Sequence, residues 1–121
     1  MNFKIDTKEK MHVIRFERTD LAANMTENYR NSLLPYLREP VKNLVLDFSN
    51  IQSIDKVFAQ EMVNLQQEFY GNDASMVFCN FSEKIKDFLD KNDFLDAMNY
   101  APTESEAWDI VQMEEIEREL F

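Results

Sequence analysis

The chain has 121 residues, 45% hydrophobic and 12% aromatic, so it can bury one core without disulfides or metals. Its formal net charge is −10 and no basic stripe is present, which argues against nucleic-acid binding. The single cysteine excludes an internal disulfide, and the single glycine excludes glycine-rich phosphate-binding loops. No apolar run is long enough for a membrane helix, and residues 1–10 lack the apolar core of a signal peptide. We therefore expect one cytoplasmic domain over residues 1–121, with no membrane contact and no cofactor.

The first residues predict a β-hairpin. Apolar and polar residues alternate over residues 2–6, and Val13, Ile14 and Phe16 mark a second strand over residues 11–17. The turn between them is short, so the two strands should pair antiparallel.

A helix follows the hairpin. Asn24, with Glu27 three residues later, fits a capping box at its start. Pro35 lies inside the predicted helix, where it removes one backbone donor and crowds the preceding turn. We therefore expect a kink or an irregular last turn before Pro40 ends the helix.

The centre of the chain, residues 41–70, reads as a strand, a polar loop and a helix. The run Leu44–Phe48 is almost wholly apolar, which is typical of a strand covered on both faces. Apolar residues then recur at helical spacing from Phe58 to Phe69. Asp55 stands where this helix begins and is expected to cap it.

The second half predicts a strand over residues 76–79, a helix capped by Ser82 and a short strand over residues 98–100. Thr103 and Glu106 form a capping box for a last helix over residues 103–121.

The last helix is longer than such a sheet requires. An apolar stripe of Met113, Ile116 and Leu120 continues past its predicted core contact. The tail either packs on its own domain or forms a contact with a partner or a second copy.

The order of elements indicates an α/β fold. Strands alternate with helices after the hairpin, which is typical of parallel strands joined by right-handed crossovers. We predict a mixed sheet of four to five strands, with an N-terminal antiparallel hairpin followed by parallel strands. About four helices should lie mainly on one face of the sheet.

This order, together with three stretches, resembles the STAS domain shared by sulphate transporters and anti-sigma factor antagonists. The stretches are LVLDFSN with the step to Asp55, KIKDFLDKNDFLDAM, and the closing MEEIEREL of a stand-alone bacterial subgroup. The resemblance implies a non-catalytic domain. In the family, the unphosphorylated domain binds a kinase that is also the anti-sigma factor, and the sigma factor is released.

The resemblance also implies a site at the turn after the central strand. The family's turn usually reads Asp-Ser-Ser/Thr-Gly, and the first serine accepts phosphate. Here the four positions are Asp55, Lys56, Val57 and Phe58, and we predict that all four bind the partner. Lys56 stands at the phospho-acceptor position and has no hydroxyl, so phosphorylation there is impossible. Lys56 either extends into water or contacts an acidic partner, and Phe58 is either core or an exposed anchor.

Other candidate residues have simpler interpretations. Ser49 and Ser53 are substitute phosphate acceptors or turn residues that bond local backbone. Asp47 ends a central strand like a two-component receiver's acceptor, but the accompanying acids and lysine are missing. His12 and Cys79 are the sole residues of their types and are read as structural, so no metal or catalytic residue is predicted.

The resemblance therefore implies a protein-interaction domain in bacterial sigma-factor or stress regulation. Its partner is a regulatory protein such as an anti-sigma factor kinase, bound without phosphorylation at Lys56. Two alternatives stay open: a scaffolding module that self-associates, as a homodimer or in a larger complex, and an enzyme or phosphorelay protein.

Overall fold

The computed structural model describes residues 1–120, which form seven strands and four α-helices. The strands are β1 (Phe3–Thr7), β2 (His12–Phe16), β3 (Asp20–Leu21), β4 (Leu44–Asp47), β5 (Ser53–Ile54), β6 (Met76–Cys79) and β7 (Tyr100–Ala101). The α-helices are α1 (Thr26–Leu33), α2 (Lys56–Gly71), α3 (Glu83–Lys91) and α4 (Glu104–Leu120). Short 3₁₀ turns cover Ala23–Met25, Leu34–Arg38 and Leu95–Ala97.

Five of the strands described form one mixed sheet in the order β1-β2-β4-β6-β7. β1 pairs antiparallel with β2, and the other neighbours are parallel. The predicted fold class is therefore confirmed. β3 and β5 form a separate two-stranded parallel ladder, which the sequence pattern did not predict.

Helices cover both faces of the sheet, because alternate residues of each strand point to opposite sides. α1, α2 and α3 pack on one face, against strand residues that include Leu44, Leu46 and Phe78. α4 packs alone on the other face, against Val45 and Val77. The expectation that the helices lie mainly on one face is confirmed, since each crossover between parallel strands places its helix on that side.

Most of the predicted helix signals are present as hydrogen bonds. The Ser82 hydroxyl accepts from the Ile85 amide at 3.2 Å at the start of α3. The Thr103 hydroxyl accepts from the Glu106 amide at 3.2 Å and donates to the Glu106 carboxylate at 3.1 Å. The α-helix ends before Pro35, and the chain continues as a 3₁₀ turn, as the proline predicted.

The prediction of a capping box at Asn24 is wrong. α1 begins only at Thr26, after the 3₁₀ turn Ala23–Met25, and Met25 precedes it with no side-chain cap. The first amide of this segment, that of Ala23, instead donates to a carboxylate from a distant part of the chain, Asp55. Among residues 1–120, no helix is both long and apolar enough to span a lipid bilayer.

Candidate functional site

The turn before α2 is fixed by the two carboxylate oxygens of Asp55. Its Oδ1 accepts a hydrogen bond from the Phe58 amide at 2.8 Å, which caps the helix as predicted. Its Oδ2 accepts from the Ala23 amide at 2.7 Å, at the start of the segment that leads into α1. The Asp55 amide in turn donates to the Leu21 carbonyl at 3.1 Å. One side chain therefore joins the starts of two helical segments.

The β3–β5 ladder brings these two segments together. Leu21 pairs with Ile54 in its register, and both side chains are buried. Asp20 pairs with Ser53 at the solvent-facing position of the same ladder. The loop that carries the site is consequently anchored by backbone bonds as well as by Asp55.

Lys56 and Val57 occupy the exposed part of the first turn of α2. The Val57 side chain is 57% exposed, which is high for an apolar residue in an ordered helix. Within residues 1–120, no carboxylate forms an ion pair with Lys56. A cation at a helix N-terminus is unfavourable by about 0.3–1 kcal/mol, so the fold gains no stability from this charge.

Phe58 is a core residue. Its side chain has no exposed surface, and its ring contacts that of Tyr29 with centroids 4.8 Å apart. The prediction that Phe58 contacts a partner is therefore wrong. The apolar stripe that it begins on α2 turns it inward, in spite of its place in the turn.

A shallow groove of about 360 Å³ lies beside the exposed pair. It is lined by Thr26, Lys56, Val57, Gln60, Glu61, Asn64 and Phe94. Gln60 donates to Asn64 at 2.9 Å along the exposed side of α2. The groove combines an apolar rim at Val57 and Phe94 with amide groups, one ammonium and one carboxylate, so it suits a mixed polar and apolar protein segment.

A second polar cluster, centred on Asp47, ends the central strand. Asp47 is 2% exposed, and it accepts from Arg15 Nε at 3.0 Å, the Ser49 amide at 2.9 Å and Asn80 Nδ2 at 3.1 Å. Burial by itself raises the pKa of this carboxyl, but these hydrogen bonds outweigh it and hold the pKa below its ordinary value. Both oxygens are partnered, so the cluster organises the strand end.

His12 and Cys79 lie at opposite ends of the sheet. His12 starts β2 and bonds Thr7 Oγ1 at 2.9 Å and the Val41 carbonyl at 3.0 Å. Cys79 ends β6, and burial, followed by the nearby Asp47 charge, raises its thiol pKa to about 12. A thiolate–imidazole pair is thus excluded. No cluster of three potential metal-ligating side chains is found within the 120 residues described.

Comparison with known proteins identifies the family. The family model described as "STAS domain" matches residues 2–107. The chain belongs to the STAS domain family. No curated protein sequence is detectably similar to this STAS domain.

Several solved structures share the fold. TM1081 of Thermotoga maritima, assigned as an anti-sigma factor antagonist, superposes with a TM-score of 0.78 at 16% identity, covering 91% of this chain and 94% of that one. A variant of RsbS from Moorella thermoacetica gives 0.72 at 16% identity, covering 93% and 96%. Phosphorylated SpoIIAA, a Bacillus cell-fate determinant, gives 0.63 at 19% identity, covering 91% and 99%.

Membership of this family supports a protein-interaction role for the STAS domain. Lys56 is exposed, and its match to the acceptor position of the family's turn stays a prediction. The two candidate substitute acceptors, Ser49 and Ser53, are exposed, and both precede Asp55 in the chain. The Ser49 amide donates to Asp47, which gives this residue a local structural role, as the turn interpretation expects.

Proposed function

We propose that this STAS domain is a non-catalytic protein-interaction module that binds a regulatory protein at the start of α2. The observation that carries the proposal is the exposed pair Lys56 and Val57, held in one place by the two hydrogen bonds that the Asp55 carboxylate accepts. The partner contacts this pair and the groove beside it. It binds without phosphorylation at Lys56.

The rigidity of the turn supports a binding role. A surface that is ordered before binding loses little conformational entropy when a partner docks, so more of the contact energy becomes affinity. Val57 supplies an apolar anchor, and Lys56 supplies a charge that selects a partner with a facing carboxylate. An amine cannot accept phosphate as the family's serine does, so binding is constitutive at this position.

The biological role follows by analogy with the structural neighbours. TM1081 is assigned as an anti-sigma factor antagonist, and SpoIIAA is one. The proposed partner is therefore an anti-sigma factor of the kinase type, in cytoplasmic sigma-factor or stress regulation. The domain contributes no catalytic residue to this interaction.

The binding surface is tested with the protein that co-purifies with this chain from its own cell. We expect Val57→Asn and Lys56→Glu each to raise the dissociation constant of the purified pair about tenfold or more. Ile5→Asn is the matched control, because Ile5 is 48% exposed but lies on β1. If Val57→Asn and Lys56→Glu both bind like the wild type, the proposed surface is refuted.

The absence of a phospho-switch is tested separately by mass spectrometry. The wild-type chain and Lys56→Ser are incubated with the purified partner and ATP. We expect no phosphate on the wild type, and phosphate on the introduced hydroxyl if the partner retains kinase activity. Stoichiometric phosphate on Ser49 or Ser53 of the wild type would contradict constitutive binding.

A further inference from the structure

The outer face of α4 carries large apolar side chains that are more than half exposed. Met113, Ile116 and Leu120 are 59%, 56% and 72% exposed. Their spacing of three and then four residues places them in one stripe along the helix. These three residues are called the outer stripe below.

The outer stripe is not needed to hold α4 on the sheet. Ala107 and Val111, on the inner face of the helix, are fully buried in the cluster that contains Val45 and Val77. This contact uses the first half of α4 and leaves the outer stripe facing away from the sheet.

Polar bonds hold the second half of α4 independently. Arg118 donates to Ser75 Oγ from both terminal nitrogens at 3.2 Å. Glu115 accepts from Asn43 Nδ2 at 2.6 Å and pairs with Lys10 at 3.7 Å. Since packing and these polar bonds hold both halves of the inner face against the domain, the outer stripe is available to another molecule.

The charge around the outer stripe specifies the chemistry of that molecule. α4 contains seven carboxylates and one basic residue, Arg118, whose side chain points to the sheet. The exposed carboxylates of the helix are those of Glu106, Asp109, Glu117 and Glu119. The stripe is therefore an apolar strip edged by acids within the described helix.

We infer that the outer face of α4 docks a protein that presents an apolar strip edged by lysine or arginine side chains. Apolar contact along the outer stripe supplies the affinity, and the flanking carboxylates select basic partners and speed their association. Two copies of α4 would bring acidic rims together, and like charges across an interface are unfavourable, so a second copy of this chain is not the occupant.

This surface is separate from the one at the start of α2. α2 belongs to the face of the sheet that α1 and α3 share, whereas α4 covers the opposite face. The domain can hold one protein at the α2 turn and a second, basic protein at α4. It would then act as an adaptor between them.

The test uses Trp108, the only tryptophan of the chain, which lies two turns before Ile116 on α4 and is 43% exposed. The probe is a synthetic helical peptide with a leucine stripe flanked by lysine and arginine and with no tryptophan. We expect Trp108 fluorescence to shift on titration with this peptide. Affinity should fall as salt is raised, since screening weakens exposed charge pairs.

Two further peptides and two variants separate specific docking from other causes. The same peptide with glutamate at each basic position, and one with glutamine in place of leucine, should each bind at least about tenfold more weakly. Met113→Gln combined with Ile116→Asn should weaken binding of the basic peptide by a similar factor. These side chains are exposed, so the variant should keep the wild-type melting temperature, and Ile5→Asn should bind like the wild type.

Three results would overturn the inference. The first is no Trp108 response to the basic peptide. The second is equal binding of the acidic or leucine-free peptide. The third is a dimer in sedimentation that Ile116→Asn dissolves, which would make a second copy the occupant. None of these results depends on Lys56 or Val57, so they leave the proposed function at the α2 turn to its own test.

Discussion

Among single residues, Asp55 determines the position of the turn, because each of its carboxylate oxygens accepts from a different segment. The bond to the Phe58 amide is local, and the spacing of three residues made it predictable from the sequence. The bond to the Ala23 amide joins residues 32 positions apart. No local pattern encodes that second bond.

Replacing Asp55 with alanine removes both bonds. We expect the free energy of unfolding to fall by about 1–3 kcal/mol, since a lost N-cap costs about 0.5–2 kcal/mol and the Ala23 amide also loses its partner. Chemical denaturation measures the change. Ser82→Ala is the matched control, because it removes one capping bond from α3 and should cost about 1 kcal/mol. Equal costs for the two variants would show that the Ala23 bond adds no stability.

Asp47 gives the protein a pH-dependent stability. Its pKa in the folded state lies below the ordinary value of 3.8, so the ionised form is favoured by folding. That stabilisation is present above pH 3.8 and is lost as the pH falls through the lower folded-state pKa. Asp47→Asn should therefore cost about 1–3 kcal/mol at neutral pH, because the charge-assisted bonds to Arg15 and Ser49 weaken.

The pH profile distinguishes this cause from simple repacking. The difference in unfolding free energy between the wild type and Asp47→Asn should shrink as the pH is lowered below 3.8, when the wild-type carboxyl also becomes neutral. A difference that is constant from neutral pH into this range would show that the charge of Asp47 does not contribute.

Among the elements, α4 has one side that packs on the sheet and an opposite side that exposes apolar residues. Its inner side is fixed by Ala107, Val111 and the bonds of Glu115 and Arg118, whereas its outer stripe is more than half exposed. Of the two readings that the sequence left open for this tail, packing on its own domain is present in the structure. The contact with a partner is the inference drawn above from the outer stripe.

Truncation after Gln112 should destabilise the domain by about 1–3 kcal/mol. The truncated chain lacks Glu115 and Arg118, so the buried Asn43 and Ser75 side chains lose partners and are left poorly satisfied. Thermal or chemical unfolding measures the loss. The control is the full chain with Met113→Gln and Ile116→Asn, which should change stability by no more than about 0.5 kcal/mol, as exposed substitutions do. A truncated chain as stable as the full one would show that the polar bonds of α4 contribute nothing.

The elements that periodicity could predict are those with enough residues to show it. The helix from Lys56 to Gly71 and the apolar strand Leu44–Asp47 carry clear patterns, and both form as expected. β3 and β5 have two residues each, which is too few to display alternation, so their ladder could not be predicted from the sequence. The capping box at Asn24 failed for a related reason, since the ladder and Asp55 fix this segment through non-local bonds.

The candidate site was predictable in position but not in all its members. The cap at Asp55 and the start of the helix placed Lys56 and Val57 at an accessible turn. Phe58 was placed in the site by its match to the family's turn and in the core by its helical stripe. The stripe prevails, because a fully buried aromatic ring stabilises the fold by several kcal/mol.

At the scale of the whole molecule, the sheet keeps the two candidate surfaces apart. Residues of its central strands are buried on both sides, with Leu46 facing α1 to α3 and Val45 facing α4. A contact made at the α2 turn and one made on α4 would therefore lie on opposite faces of the sheet.

The net charge of −10 predicts that salt stabilises the fold. Raising the ionic strength from about 0.01 M to about 0.15 M shortens the screening length from about 30 Å to about 8 Å. Repulsion among the acids is then screened more than the few close ion pairs, such as Arg30 with Glu61 at 3.0 Å. We expect a gain of about 1 kcal/mol, seen as a rise of about 4 °C in melting temperature.

A charge-neutralised variant provides the matched control for the salt effect. Glu117→Gln with Glu119→Gln removes two exposed carboxylates from the acidic helix and leaves its inner contacts in place. This variant should melt higher than the wild type at low ionic strength and gain less from added salt, because less repulsion remains to be screened. A melting temperature that falls with salt in both proteins would mean that attractive ion pairs, including those of Arg30, outweigh the repulsion. The acidic rim of α4 would then cost the fold nothing.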